Sequence, residues 1–574
     1  MVRRQALLAR TRALLLATAF MSLAACAPPG DSAQGASPGE TNGLSTIVVA
    51  IGPEPRSLVP SVGSDTPGPS EQLFEILHQS LVSYDASGQP IARVARALPS
   101  LDAGTWTLFP DGSMETVYQI RDGVRWHDGQ DLTAADVEFS WRLFNSPAVP
   151  VVSRRAARLI DAVDVRDPQT AAIHWRSRYA FANQLSGYEL TLLPRHLLEN
   201  SLDLVPQQMA GHQYWQAEFV GLGPYRLAHW YAGISLELEP VPSYFLGAPR
   251  GEHISVRFFN DDSSAMASVL SGNLDVVLPR KSALGIVQSL RQRWAAGGGS
   301  LILSPTYSWV FVAPQFANPQ PKELADPRIR QALAFSIDRA GIAEAIGGDA
   351  SLASELWVPT TDRRYQPVAQ GTQRYQYSPD RAASLFRDAG WRREGADGVL
   401  VSHGQRFEIE LSTTAEWQSS EAFVADGWRQ AGVVVKEDVV TQGSIFDRER
   451  RSSYSGAEVT GAFPSIALLE TRLRSTNLPL AENQFAGANR GRYASPQMDA
   501  FLTRLLEAVG PPALEAAESE IAKKASEDLP IIGLYFYPTM AVVRSNVRNV
   551  RPPEGTPPVG RPMFGWNAHE WAKG

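Results

Sequence analysis

A chain of 574 residues with a formal net charge of −7 and a globular balance of apolar and charged residues has room for two to four domains with full cores. The acidic balance argues against nucleic acid or an anionic lipid surface as the main partner. A single cysteine excludes an internal disulfide.

In chain order, Arg3, Arg4, Arg10 and Arg12 precede an apolar run over residues 13–25 that has the length of a signal peptide and is too short to span a bilayer. The run closes on Leu23-Ala24-Ala25-Cys26, which resembles the processing box of bacterial lipoproteins, where the cysteine is lipidated and becomes the first residue of the mature chain. Cys26 is therefore the expected lipidation site of an exported protein, anchored on the periplasmic or outer face of a bacterial envelope. Removing residues 1–25 takes four arginines and no acids, so the charge moves from −7 to −11. Residues 28–43 are mostly Pro, Gly, Ser and Ala and read as a tether with a reach of roughly 20 Å.

Alternating apolar residues predict strands over 46–51, 235–239 and 253–258, with capped helices between such runs, which is an α/β pattern. The stretch DGVRWHDGQDLTAADV, residues 122–137, sets His127 beside Asp128, a pairing that serves a general base or a metal. Its surroundings read otherwise. Residues 117–126 alternate, Asp128-Gly129 suits a tight reversal, and Thr133 with Asp136 forms a capping box before Val137, Trp141 and Phe144 on one helical face. The stretch reads as strand, turn and helix, with a structural histidine. Further on, Asp326-Pro327, Asp338, Ser378-Pro379 and Ser495-Pro496 start helices, and Gly347-Gly348 ends one. Met498, Phe501, Leu502 and Leu505 make a core stripe.

Motifs for chemistry are missing. The nine histidines never come closer than sixteen residues, so no HExxH or HxH metal arrangement exists. There is no GxSxG elbow or phosphate loop, and Gly221-Leu222-Gly223 lacks the third glycine of a dinucleotide turn. The expectation is a protein that is not an enzyme and has no catalytic residue, metal or cofactor.

Five segments carry a resemblance: RDGVRWHDGQDLTAADVEFSW; GLGPYRLAHWYAGISLELEPVPSYF with SGNLDVV; ADPRIRQALAFSIDRAGI; NRGRYASPQMDAFL; and DLPIIGLYFYP. In this order they resemble the oligopeptide/dipeptide-type extracellular solute-binding proteins that serve ABC transporters. The resemblance implies an α/β periplasmic-binding-protein fold of the class II type, with two lobes and an additional small domain. It implies a signal peptide over 1–25, a lipidated tether over 26–44 and a discontinuous lobe I over 45–68, 218–304 and 520–574. The small domain then spans 69–217 and lobe II spans 305–519. It also implies a monomer that closes on a small molecule or peptide and delivers it to the permease subunits of an ABC importer. The alternative is a hydrolase or chaperone-like protein reusing the fold.

Peptide carriers of this type hold the ligand's amine with an aspartate, and the corresponding stretch here, GAFPSIALLETRLRS over 461–475, has none. Its nearest acid, Glu470, falls in a following helix; Glu416, Glu458 and Glu482 are substitutes from elsewhere. Segments resembling lining loops give the ligand-binding candidates Tyr307, Trp309, Glu416, Trp417, Asn489, Arg490, Arg492 and Tyr493. Tryptophan faces suit sugars, and an arginine fork suits a carboxylate or phosphate.

Overall fold

The computed structural model describes residues 45–574 apart from 61–69, 147–148, 150, 152–153, 203, 279–289, 291, 295–297, 446, 552–554 and 560–563. Cys26 and the tether lie outside the described residues. Ser45–Gly574 form one compact unit.

Fourteen strands build two sheets: β1 Thr46–Ile51, β2 Trp106–Leu108, β3 Met114–Gln119, β4 Ile160–Asp167, β5 Thr170–Trp175, β6 Tyr225–Tyr231, β7 Ser235–Pro240, β8 His253–Phe258, β9 Val276–Val277, β10 Gly299–Pro314, β11 Glu408–Thr414, β12 Val434–Val440, β13 Ala457–Ala462 and β14 Ile532–Arg544. The large sheet has the order β12-β11-β13-β10-β14-β9-β1-β8-β7-β6, and β2-β3-β5-β4 form a second. Strands 46–51, 235–239 and 253–258 are thus found, the second one residue longer. This is the mixed α/β architecture that the resemblance implies.

Two long antiparallel strands, β10 and β14, run through the middle of the large sheet and pair along their length, with a register shift between Ser304 and Ser308. Every other strand attaches to one half of this ribbon. On one side β14 carries β9, opposite Val542 and Val543, and then β1 and β8, all three parallel. On the other, β10 carries β13 from Trp309 to Pro314, followed by β11 and β12, again parallel. Because β9 and β13 are each antiparallel to the ribbon strand they join, and β10 and β14 oppose one another, the carboxyl ends of the two half-sheets point toward each other. One apolar core, with Val310, Val312, Ile409, Leu411, Val424, Trp428 and Leu534, covers a face of the second half; another holds Ile47, Val49, Ile254 and Val256 of the first and runs on to Phe311 and Leu469 of the second.

The histidine stretch is a brace. Gly129 takes φ +92° in the turn, and Thr133 with Asp136 closes the capping box of helix Ala134–Asn145. The strand itself is displaced from residues 117–126: β3 ends at Gln119, because Asp122-Gly123 with Gly123 at φ +71° breaks the alternation, leaving only isolated bridges at Ile120 and Arg125. His127 accepts from the Gly221 amide at Nδ1 (3.1 Å), and its Nε2 meets the Gly223 carbonyl oxygen at 3.1 Å. His78 does the same work beside it, between the Leu222 amide (3.2 Å) and the Leu192 oxygen (2.8 Å).

The glycines of that loop are required by space, not by a phosphate. A Cβ on Gly221 would come 2.1 Å from the Leu77 oxygen, and one on Gly223 would come 2.4 Å from the Ile76 oxygen, at the end of helix Ser70–Leu77. Gly221→Val is expected to push two backbone segments apart and cost about 1–3 kcal/mol, read as a lowered urea midpoint with an unchanged slope.

Candidate ligand-binding site

In open α/β sheets ligands sit outside the carboxyl ends of parallel strands, at the point where the strand order reverses. Here two such sets of ends confront one another. From the first half come the residues after β1, Gly52 to Glu54, and those after β8, Phe259 to Asp262. From the second come those after β11, Ala415 to Trp417, and after β13, Phe463 to Ser465. The backbones of β11 and β13 pair at Leu411 with Ala457 and Ser412 with Glu458, and Thr413 Oγ1 then donates to the Val459 oxygen at 3.0 Å. The floor is the middle of the ribbon, where Tyr537 stands opposite Ser308.

Tyr537 is half-buried, and burial first, then the charge of Asp262, raises its hydroxyl above the usual tyrosine value. Asp262 opens helix Asp262–Leu270 behind the cap Asp261, so a residue of one half acts on a residue of the ribbon. The Tyr537 ring meets the Trp417 ring edge-on at 5.8 Å. Trp417 in turn packs against Gly461, where a Cβ would fall 2.5 Å from its ring. Aromatic surface and carboxylates therefore converge at one end of both half-sheets.

The candidates distribute unevenly over this geometry. Tyr307 sits in the register shift of β10, and its side chain is outside the described atoms. Trp309 is buried beneath the ribbon, donating from Nε1 to the Ser354 oxygen at 3.3 Å and packing on Phe311. Glu416 is exposed at the end of β11, beside buried Trp417. Asn489 is an internal tie, donating to the Arg474 and Tyr493 oxygens at 3.1 and 2.8 Å. Tyr493 donates to Asp528 at 2.5 Å and packs against Phe316.

Arg490 forks onto an internal carboxylate, with Nε and Nη2 at 2.9 and 2.8 Å from the two oxygens of Glu458. Arg492, two residues on, adopts φ +53°, and its buried Nε has no hydrogen-bond partner. Sequence reasoning missed Arg451, Arg472 and Tyr454, which surround the same glutamate, and Tyr537. The last was visible inside YFYP; the others lie in no recognisable pattern. Glu470 falls in helix Ile466–Leu473, as its position predicted, and pairs with Arg474 at 2.8 Å. No group of three or more potential metal-ligating side chains exists among the described residues.

Glu458 is fully buried, which alone would raise its pKa; Arg490, Arg451 and Arg472 outweigh burial and hold it below the ordinary carboxylate value. Its ion pairs therefore stabilise the fold above the unfolded carboxylate range and are lost as the pH falls through the lowered value.

The model of the family described as bacterial extracellular solute-binding proteins, family 5 Middle, matches residues 99–467. The oligopeptide-binding protein AppA of Bacillus subtilis is 22% identical over 456 residues, 78% of this chain and 79% of the relative. Its solved structure, in complex with a nonapeptide, superposes with a TM-score of 0.67 at 19% identity, covering 92% of this chain and 99% of the other. Protein XP55 of Streptomyces lividans is 26% identical over 532 residues, 90% of this chain and 88% of the relative. The structure of NikZ from Campylobacter jejuni in complex with Ni(L-His) gives a TM-score of 0.71 at 21% identity, with 92% and 99% of the two chains covered. A match over more than half of the chain, on a sheet whose halves face one another across a central ribbon, makes this protein a member of the bacterial extracellular solute-binding proteins of family 5.

Proposed function

We propose that this protein captures a peptide-like or other medium-sized solute between two lobes and delivers it to the membrane subunits of an ABC importer, with no bond made or broken. The observation that carries the reading is the pair of half-sheets whose carboxyl ends confront one another across the β10/β14 ribbon. The relatives' names support it, since they are binding proteins for oligopeptides, and related structures hold a nonapeptide and a nickel–histidine complex. Lobe I then comprises residues 45–68, 218–304 and 520–574 with the small domain 69–217 attached, and lobe II comprises 305–519. A solute touching both lobes stabilises the closed arrangement by the difference in its contacts, and the transporter reads that arrangement. Micromolar affinity needs only about −8 kcal/mol.

Small-angle scattering should show a smaller radius of gyration when a solute that co-purifies with the protein from its native host, identified by native mass spectrometry, is restored to the stripped protein. An unchanged radius with binding established by calorimetry would remove closure from the account. Incubation with peptides should yield no cleavage products; turnover would move the protein to the hydrolase alternative.

Cys26 holds this carrier at the membrane, because lipid chains contribute about 0.8 kcal/mol per buried methylene and two or more chains make attachment durable. In Cys26→Ala the protein should leave the membrane fraction or keep its signal peptide. Processed Cys26→Ala that still sediments with membranes would contradict lipidation.

A further inference from the structure

Three arginines surround one carboxylate in the second half of the large sheet, and a fourth, Arg492, stands near the adjoining Tyr454. Glu458 receives the Arg490 fork, Arg451 Nη2 at 2.8 Å and Arg472 Nη1 at the longer distance of 4.0 Å. Arg472 lies over the Phe311 ring at 5.6 Å, and its Nη1 has no hydrogen-bond partner; nor does Arg492 Nε. Tyr454, 98% buried, feels the charges of Glu458, Arg490, Arg472 and Arg492, and its hydroxyl also has no partner. The neighbouring acids are engaged elsewhere: Asp438 with Arg450, Glu470 with Arg474, and Asp528 with Tyr493 and Lys524.

Such a group is costly to bury, because a guanidinium removed from water loses several kcal/mol unless an anion and hydrogen bonds replace the solvent. One glutamate offsets one of the four charges. Three buried polar groups thus remain to be satisfied: two guanidinium donors and a hydroxyl. The cluster lies on the parallel pair β11 and β13, where Ser412 stands opposite Glu458, and the carboxyl ends of that pair face the first half of the sheet.

We propose that this cluster binds an anionic group, a carboxylate or a phosphate, of the captured solute. Arg472 and Arg492 supply the unused donors, Tyr454 adds its hydroxyl, and Glu458 holds Arg490 and Arg451 in place. The inference rests on the solute-capture reading, and it replaces recognition of an amine by recognition of an anion.

The test uses the full mature protein and four probes, all by calorimetry: N-acetyl-trialanine, its C-terminal amide, acetyl-alanine amide as an uncharged control, and inorganic phosphate. The acid or phosphate should bind, and whichever is tighter identifies the anion; the amide should be about thirty-fold weaker or worse. Arg472→Gln should weaken the anionic probes by about thirty-fold or more, the loss typical of a desolvated arginine–anion contact. Tyr454→Phe removes a hydroxyl that the empty protein leaves idle, so its melting temperature should match or exceed the parent while anion affinity drops severalfold. This second variant keeps the test intact if Arg472→Gln fails to fold. Binding of the tighter anion no stronger than that of the amide, no binding of either anion at millimolar concentration, or unaltered affinity in Tyr454→Phe would each overturn the proposal. The two readings separate by scattering: an amide that contracts the radius as well as the acid retains capture and removes the anion site. Phosphate that binds in an Arg472-dependent manner, while the acid leaves the radius unchanged, retains the site and removes closure.

Discussion

Stability should decline by about 1.4 kcal/mol for each pH unit between about 6 and 5 through His78 alone, before most carboxylates titrate. His78 is fully buried, and burial pushes its pKa down to about 3, with the Leu192 oxygen opposing. His127, partly buried, is pushed down to about 4 for the same leading reason. Both rings accept an amide proton at Nδ1, so each is neutral with its hydrogen on Nε2; protonation would set a donor against a donor. In the unfolded chain these groups titrate near 6.5, so below that value the unfolded state takes up a proton that the folded state refuses. Stability is therefore complete above about pH 6.5 and is lost progressively as the pH falls toward 3. Urea midpoints at half-unit steps from pH 7.5 to 4.5 measure the slope, and the double variant His78→Gln, His127→Gln should flatten it. A midpoint constant from pH 7 to 5 would show that neither ring is held neutral.

Arg364→Ala should cost about 3–5 kcal/mol, the usual result of stranding a buried charge. Glu518 has no exposed surface, and Arg364 Nη1 lies 3.2 Å from it. The same guanidinium reaches Asp362 at 2.8 Å and the Thr556 oxygen at 3.0 Å, tying helix Pro511–Asp528 to two distant segments. Trp357 Nε1 is the other donor to Glu518, at a long 3.4 Å. Replacing all three charges together, Arg364→Met with Glu518→Leu and Asp362→Asn, should recover much of the loss, because the group's attraction largely offsets its desolvation. Denaturant unfolding of the three singles and the triple gives the coupling. A single substitution costing under about 1 kcal/mol would show that water reaches the pair.

Local chemistry was legible. The caps at Asp326, Asp338 and Ser495 each accept an amide from the first turn of the helix they open, and Met498, Leu502 and Leu505 are buried on one face as their spacing required. What could not be read is long-range. Arg330 and Arg339 belong to one of the segments that carried the family resemblance, yet nothing nearby shows that both are internal clamps. Arg330 binds the oxygens of Asp528, Leu324 and Ala325, while Arg339 binds those of Gly533, Ala334 and Tyr375. Likewise Arg490 reads as a free fork until β13 brings Glu458 to it. Periodicity reports which face a residue takes; it is silent on which remote segment covers that face.

The placing of β1 has a consequence for the order of events in time. It is the first strand to be synthesised, yet it lies in the interior of the large sheet, flanked by β8 and β9, and β9 is closed off by β14 near the end of the chain. Lys573, one residue from the C-terminus, donates to the Thr46 oxygen at 2.7 Å and to Asp275 at 2.7 Å, fastening the last residues to the first strand. A chain emerging N-terminus first therefore supplies both neighbours of β1 by residue 277, but leaves the far side of β9 without its partner until residues 532–544 are made. The two halves of the large sheet are joined only when β14, which pairs with both β9 and β10, has been made.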